Sequence, residues 1–301
     1  MDVEVLAEAA RGALLLSLTA MIPITLASLG EILTERAGVV NIGLEGIMLS
    51  SAWLAVFLYH VGLDPYLAIA LGSLAGTAIG VVHAIISVYL KGDQIVAGIG
   101  VNIMAAGGTV IATYLVWGNF ANSPPVETPG GIEVMGVEVS LFFPLTIAIG
   151  VGLWLFLEKT DTGLRLKSVG NDPKAAEALG VNVAKYQVIA TIVGATLAGL
   201  AGAFYSVDYI GSFSKNMTAG RGFIALANVA FSGWNPLGAL LGGMVFGYFD
   251  AVAQYAKVLL GRTAENYLIQ TLPYIATLIA VAFIARRGRM PRWLGRPYFK
   301  E

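Results

Sequence analysis

The chain contains no cysteine. That excludes disulfides, a thiolate metal site and thiol-based catalysis. Histidine is almost as scarce: there are two, His60 and His83, too few to build a histidine-ligated metal centre. Charge is thin as well. Asp, Glu, Lys and Arg make up 12% of the 301 residues, well below the roughly 25% of soluble domains. The formal net charge of −1 points to no particular partner, and no nucleic-acid partner is expected. The first residues carry Asp2, Glu4 and Glu8, whereas a secretory signal has a basic start. Polar stretches long enough for a soluble domain are missing too.

What the chain has instead is apolar surface. Apolar residues account for 57% and the mean hydropathy is +0.76. A soluble fold of this length could not hide so much, so the chain reads as a single all-α polytopic membrane domain over 1–301. A crossing takes about 20 apolar residues, which gives about nine transmembrane helices. The spans fall at 11–32, 39–61, 65–90, 94–117, 139–157, 187–207, 222–234, 236–257 and 266–285. Two connections are long and polar. One, 118–138, has prolines, glycines and acids but no base; the other, 158–186, is rich in bases.

Basic residues concentrate on the cytoplasmic side of membrane proteins. Placing 158–186 and the C-terminal tail inside puts Arg36, Lys91, Lys159, Arg165, Lys167, Lys174, Lys185, Arg286, Arg287, Arg289, Arg292, Arg296 and Lys300 there. Only Arg11, Lys215, Arg221, Lys257 and Arg262 then lie outside. The expected topology is a multi-pass membrane protein with the N-terminus outside and the C-terminus cytoplasmic; the family resemblance below implies a prokaryotic inner membrane. The segment 222–234 is short, and a half-helix or re-entrant piece is the other reading. A re-entrant piece would move the basic C-terminus outside, so a short full crossing is expected.

One polar feature stands out at the head of the second span, where residues 37–49 read A-G-V-V-N-I-G-L-E-G-I-M-L. An acid at membrane depth usually faces protein or a water-filled path. At i, i+4 spacing, Asn41 and Glu45 would share one helix face. Gly38, Gly43 and Gly46 would let the backbone bend or another helix come close. The same reasoning makes Asn102 in the fourth span and Asn228 in the short seventh segment candidates for a solute path. Phe223 and Phe231 could line it as apolar or stacking surfaces. The blander alternatives are that the Asn side chains are interhelical glue, that the Phe rings are packing, and that Glu45 accepts bonds from backbone freed at Gly43 and Gly46. Asp250, in the eighth span, could pair with a neighbouring helix.

The chain also carries a candidate internal repeat. An offset of 171 sets Asp64-Pro65 on Asn235-Pro236, Gly72 on Gly243 and Gly76 on Gly247. Just upstream, an offset of 176 sets Glu45-Gly46-Ile47-Met48 on Arg221-Gly222-Phe223-Ile224. The paired spans run in opposite directions, as in transporters whose inverted repeats enclose the solute path. The same glycines also suit ordinary small-residue helix contacts.

In the 158–186 loop, Asp172 is a good N-cap, Pro173 suits the first helical position, and Gly180 stops the helix. A short helix, Asp172 to Leu179, should lie across the cytoplasmic face. It could dock into another protein or merely link two spans. The loop text G-L-R-L-K-S-V-G-N-D-P-K-A-A-E-A-L-G-V-N-V-A-K-Y resembles the coupling loop of ABC-importer permeases. The text T-E-R-A-G-V-V-N-I-G-L-E-G-I-M-L from 34 to 49 and the run R-G-F-I-A-L-A-N-V-A-F-S-G-W-N-P-L-G-A-L-L-G-G from 221 to 243 are similar to one branch of that superfamily. That branch is the branched-chain amino acid and simple-sugar permease family, in particular its nucleoside-type members. Sugar-type relatives generally have Asp-Leu-Ser-rich text where this chain has Asn41 to Glu45.

The resemblance covers most of the chain and implies the following. Two permeases pair, and the second is expected to be a related but distinct chain. Each lays its coupling helix in a groove of a cytoplasmic ABC ATPase, while an extracellular binding protein delivers the solute. Here Gly170, Asn171, Asp172, Pro173, Ala175, Ala176, Leu179 and Gly180 would form the coupling element. The chain holds no G-x-x-x-x-G-K-[ST] phosphate loop, so it is expected to bind no cofactor and to be no enzyme; ATP and Mg would be used by the partner. Asn side chains could bond ribose hydroxyls or base edges. Sugars, then branched-chain amino acids, are the competing solutes. An ion-coupled secondary transporter using Glu45 and Asp250 is the competing class, but it has no need of a docking helix. An intramembrane enzyme fits worst, because no metal set, Ser/Lys pair or Ser/His pair sits at convincing spacing.

Overall fold

The structure, a computed structural model, describes residues 3–134, 137–260, 271, 275 and 290–299. The chain is a polytopic all-α membrane protein. Among the described residues, six helices are long and apolar enough to cross a membrane. They are α1 (Val3–Arg36), α3 (Pro65–Ala84, extended by a π-helical turn Ile85–Tyr89), α4 (Gln94–Trp117), α5 (Phe142–Lys159), α8 (Val183–Phe204, extended by a π-helical turn Tyr205–Ile210) and α10 (Pro236–Leu260). Two apolar helices are shorter, α2 (Leu44–His60) and α9 (Arg221–Phe231). Between α5 and α8 lie α6 (Asp161–Asn171) and α7 (Pro173–Ala178). The span expected at 266–285 lies outside the described residues.

Local chemistry explains the boundaries. Asp64 Oδ1 accepts from the backbone N–H groups of Tyr66 and Leu67, with Pro65 at the first helical position of α3. Asp93 caps α4 in the same way, and Gly118, at φ +72°, ends it in a left-handed turn. The span expected from 139 starts at Phe142. The residues before it pair as an antiparallel hairpin of β1 (Gly131–Val134) with β2 (Val137–Ser140). The hairpin marks one end of the bundle, and α6 with α7 marks the other.

α2 and α9 are the helical parts of broken crossings, each too short to span alone. At 1.5 Å per residue α2 is about 26 Å long and α9 about 17 Å, against a hydrocarbon core of about 30 Å. Residues 37–43 lead irregularly from the end of α1, near α6, to the start of α2. Residues 211–220 lead irregularly from the hairpin end to the start of α9. Their outer part is tied to the loop after α4: Val126 N–H donates to Gly211 O at 2.8 Å and Lys215 N–H to Ala121 O at 2.7 Å. The expectation of 222–234 as a short full crossing is therefore corrected. The helix supplies half the crossing, and the rest is non-helical chain.

The two broken crossings sit in related surroundings. α8 packs on α3 and α2, and α1 packs on α10 and α9. The starts of α3 and α10 match, since Asn235 Oδ1 accepts from Leu237 N–H at 3.0 Å with Pro236 beside it. A Cβ on Gly76 would stand 2.6 Å from the Ala195 carbonyl oxygen of α8, and one on Gly247 would stand 2.6 Å from the Met21 nitrogen of α1. The offset of 176 that sets Glu45 on Arg221 carries Met21 onto Leu197, midway between Ala195 and Gly199. α1–α3 and α8–α10 thus make comparable packing contacts, and the paired elements run in opposite directions.

Candidate functional site

The two half-helices meet at Glu45. Its Oε1 accepts from Thr218 Oγ1 at 2.6 Å and from Gly220 N–H at 2.8 Å; its Oε2 accepts from Gly222 N–H at 2.8 Å. Glu45 lies in the first turn of α2 and caps the first turn of α9. One carboxylate therefore faces the positive ends of two helix dipoles. The approach needs glycine, because a Cβ on Gly222 would run into the Glu45 backbone. Beside it, Arg221 Nη2 bonds both carboxylate oxygens of Asp250, at 2.7 and 2.9 Å. The guanidinium carbon also sits 4.5 Å from the centre of the Tyr205 ring. A cation at a helix N-terminus opposes the dipole, and the Asp250 carboxylate offsets it.

The segment 37–43 is braced by side chains from four helices. Gln187 Nε2 of α8 donates to Ala37 O at 3.3 Å. Val40 N–H donates to Gln94 Oε1 of α4 at 2.8 Å, and Val40 O lies 3.0 Å from His83 Nε2 of α3. Asn41 N–H donates to Glu31 Oε1 of α1 at 2.8 Å. Asn102, two turns into α4, donates from Nδ2 to Ile42 O at 3.0 Å and accepts from Gly46 N–H at 2.8 Å. Irregular backbone survives at membrane depth when it is enclosed and satisfied in this way or when it lines water.

The end of α1 also holds the turn after α9. Trp234 Nε1–H donates to Glu35 Oε2, while Arg36 Nη2 donates to Trp234 O at 2.8 Å. Trp234 itself adopts a left-handed conformation, at φ +58°. On its other side the end of α1 meets α6: Gly170 lies so close to the Arg36 carbonyl that a Cβ there would collide with it. Residues 290–299 lie over this contact. Trp293 N–H donates to Gly170 O at 3.0 Å, Gly295 N–H to Gly38 O at 3.1 Å, and the Tyr298 hydroxyl to Glu177.

Several sequence expectations change in this geometry. Asn41 and Glu45 do not share a helix face, because α2 starts only at Leu44. The Asn41 carboxamide accepts from Gly43 N–H at 3.0 Å, a local turn that competes with helix. Asn102 is a backbone brace, partly exposed. Asn228 is fully buried and donates to Ser28 Oγ and Ala239 O, each at 3.0 Å, tying α9 to α1 and α10. It makes the contacts expected of interhelical glue. Phe231 packs edge-on against Phe246, with ring centres 5.9 Å apart, whereas Phe223 is exposed. In the 158–186 loop, Asp172 caps α7 through Ala175 N–H as expected. The stretch before it, read as plain loop, is the helix α6. Gly170, Pro173 and Ala176 are buried inward. The outer face shows Asn171, Asp172, Lys174, Ala175, Ala178, Gly180 and Leu179, which is 84% exposed.

Sequence reasoning passed over Glu31, Glu35, Gln94 and Gln187. The signal for the first two was available: acids at i, i+4 at the end of an apolar span, the same argument that singled out Glu45.

Comparison with known proteins agrees with this architecture. The model of the family described as Branched-chain amino acid transport system / permease component matches residues 13–285, and the chain belongs to that family. It is 33% identical, over 92% of its length, to Guanosine ABC transporter permease protein NupQ of Bacillus subtilis, of which 93% is covered. It is 34% identical, over 93% of its length, to Nucleoside ABC transporter permease protein NupC of Lactococcus lactis, of which 94% is covered. It is also 32% identical to Putative glucose ABC transporter permease protein TsgC13 of Haloferax volcanii, over 94% of each chain.

Proposed function

We propose that this chain is the membrane-spanning subunit of an ATP-driven importer for nucleosides. Its solute path runs along the outer face of residues 214–223. The observation that supports this most strongly is the state of that segment. Lys215, Asn216, Ala219 and Phe223 are exposed, and Asn216 and Ala219 take left-handed conformations, at φ +54° and +45°. Gly220 stands one half-helix, about 17 Å, from the α6 end, which is near mid-membrane. Irregular backbone does not face lipid at that depth, so it lines water or is covered by protein. A second permease across from this face, enclosing a path between the two subunits, satisfies both conditions. Glu45 then fixes the junction beside the path rather than contacting solute, and Phe223 offers a surface on which a base can stack.

The exposed face of α7, with Leu179 at its end, is the surface for a partner ATPase that uses ATP and Mg. Behind it Gly170 abuts Arg36, and Arg36 holds the turn after α9. A chain of packed, hydrogen-bonded groups thus runs from α6 and α7 to the broken crossing. The excess of bases at the α6 end supports a cytoplasmic location for it, with the hairpin end facing an extracellular solute-binding protein. Nucleosides are favoured over sugars by the names of the two relatives and by the Asn41 to Glu45 text. The ion-coupled alternative is weakened because Glu45 and Asp250 are both engaged at the start of α9.

The test is purification from native membranes in gentle detergent, with the accompanying proteins sequenced and the assembly reconstituted in liposomes. A subunit with a phosphate-binding loop and a second permease should accompany the chain. Guanosine uptake should require ATP and be competed by adenosine, not by glucose. A chain recovered alone after cross-linking, or uptake driven by an ion gradient without ATP, would overturn the proposal.

A further inference from the structure

We infer that the cleft between α5, α6 and α8 is a binding site for an anionic phospholipid. A cavity of about 550 Å³ opens there. Its polarity changes along the direction in which the helices cross. Arg165 of α6 and Lys185 in the first turn of α8 line the part nearest the helix ends, together with Thr162 and Asn182. Phe156 and Leu153, on successive turns of α5, and Ile189 and Val193, on successive turns of α8, line the part that runs into the spans. No acid lines the cavity. Among the described residues neither Arg165 nor Lys185 is in an ion pair, although Lys167, on the same helix, is bonded to Glu158 at 2.9 Å. Ile189 and Val193 are 51% and 41% exposed, which decides what fills the groove: acyl chain covers such a surface well and water covers it poorly. Two cations at interfacial level above an apolar groove match a phosphate headgroup above its chains.

This assignment does not depend on which solute the protein carries or on what drives it. It predicts that the purified full-length assembly retains phosphatidylglycerol in preference to phosphatidylcholine. Native mass spectrometry after exchange through a defined mixture of the two lipids reads this directly. Arg165→Gln with Lys185→Gln should lower the retained phosphatidylglycerol by about 30-fold. Val193→Trp, which fills the groove without touching the charges, should also displace lipid. Excess soluble glycerol phosphate should leave the bound lipid in place, since it has no chains to seat. Equal retention of the two lipids by the native protein would overturn the assignment, as would unchanged retention in the double variant or displacement by glycerol phosphate. If the double variant fails to assemble, Val193→Trp and the native preference decide alone.

Discussion

The molecule builds the same device twice, an irregular segment followed by a half-helix, and finishes the two differently. The first, at 37–43, is enclosed. Its backbone groups are bonded to Gln187, Gln94, His83, Glu31 and Asn102. The second, at 211–220, is satisfied at its outer end by the loop after α4 and at its inner end by Glu45, but between them it shows Lys215, Asn216 and Ala219 to the outside. Related elements thus serve two purposes. The enclosed copy is a scaffold that fixes where Glu45 stands. The open copy presents exposed residues on one side of the junction.

The largest expected effect is where the two copies meet. Arg221→Ala removes the bidentate ion pair with Asp250 from a half-buried site, and should cost about 3–5 kcal/mol. A drop in the melting temperature of the purified assembly checks it, and Asp250→Asn added to Arg221→Ala should recover part of the loss. Glu45→Gln comes next. It keeps the shape but loses the charge and one acceptor at the α9 cap, and about 1.5–3 kcal/mol is expected from weakening charged hydrogen bonds. If stability is untouched while uptake falls, Glu45 contacts solute and its assignment to the scaffold is wrong.

The enclosed copy should be more forgiving at a single brace. Asn102→Ala removes two hydrogen bonds to 42–46, yet interhelical polar contacts in membranes average only about 0.6 kcal/mol, up to about 1.7. A loss of about 1 kcal/mol with unchanged solute affinity would fit a brace; a change in affinity would put Asn102 on the path. The smallest effect on stability is expected at α7. Leu179→Glu is at an exposed site and should change stability by no more than about 0.5 kcal/mol while abolishing ATP-driven uptake. Gly170→Ala, by contrast, should cost about 1–3 kcal/mol, because the added methyl meets the Arg36 carbonyl.

Much of the fold was legible because the signals are local. Asp64-Pro65, Asn235-Pro236 and Asp172-Pro173 start helices where their chemistry says they should, and apolar runs long enough to cross gave the spans. The offset between Glu45 and Arg221 was legible as a repeat, and the structure shows why it matters: these residues open the two half-helices. What the sequence hid was the partner of each polar group. Asn41, Asn102 and Asn228 look alike as polar residues in apolar text. Only tertiary placement shows that the first turns on itself, the second braces another helix and the third is sealed. Exposure is equally non-local, so nothing in the text of Phe223 and Phe231 foretells that one faces outward and the other packs on Phe246.

The most direct test uses the absence of cysteine, which makes single introduced thiols unambiguous. In the assembled transporter, Ala219→Cys, Val39→Cys and, as a control on the exposed outer surface of α4, Ile103→Cys would each be exposed to a charged, membrane-impermeant thiol reagent. If the second broken crossing lines the solute path, Ala219→Cys reacts readily and bound solute slows the reaction, while the other two stay unreacted. If Ala219→Cys reacts no faster than Ile103→Cys, the open copy faces lipid and the account of its function is wrong.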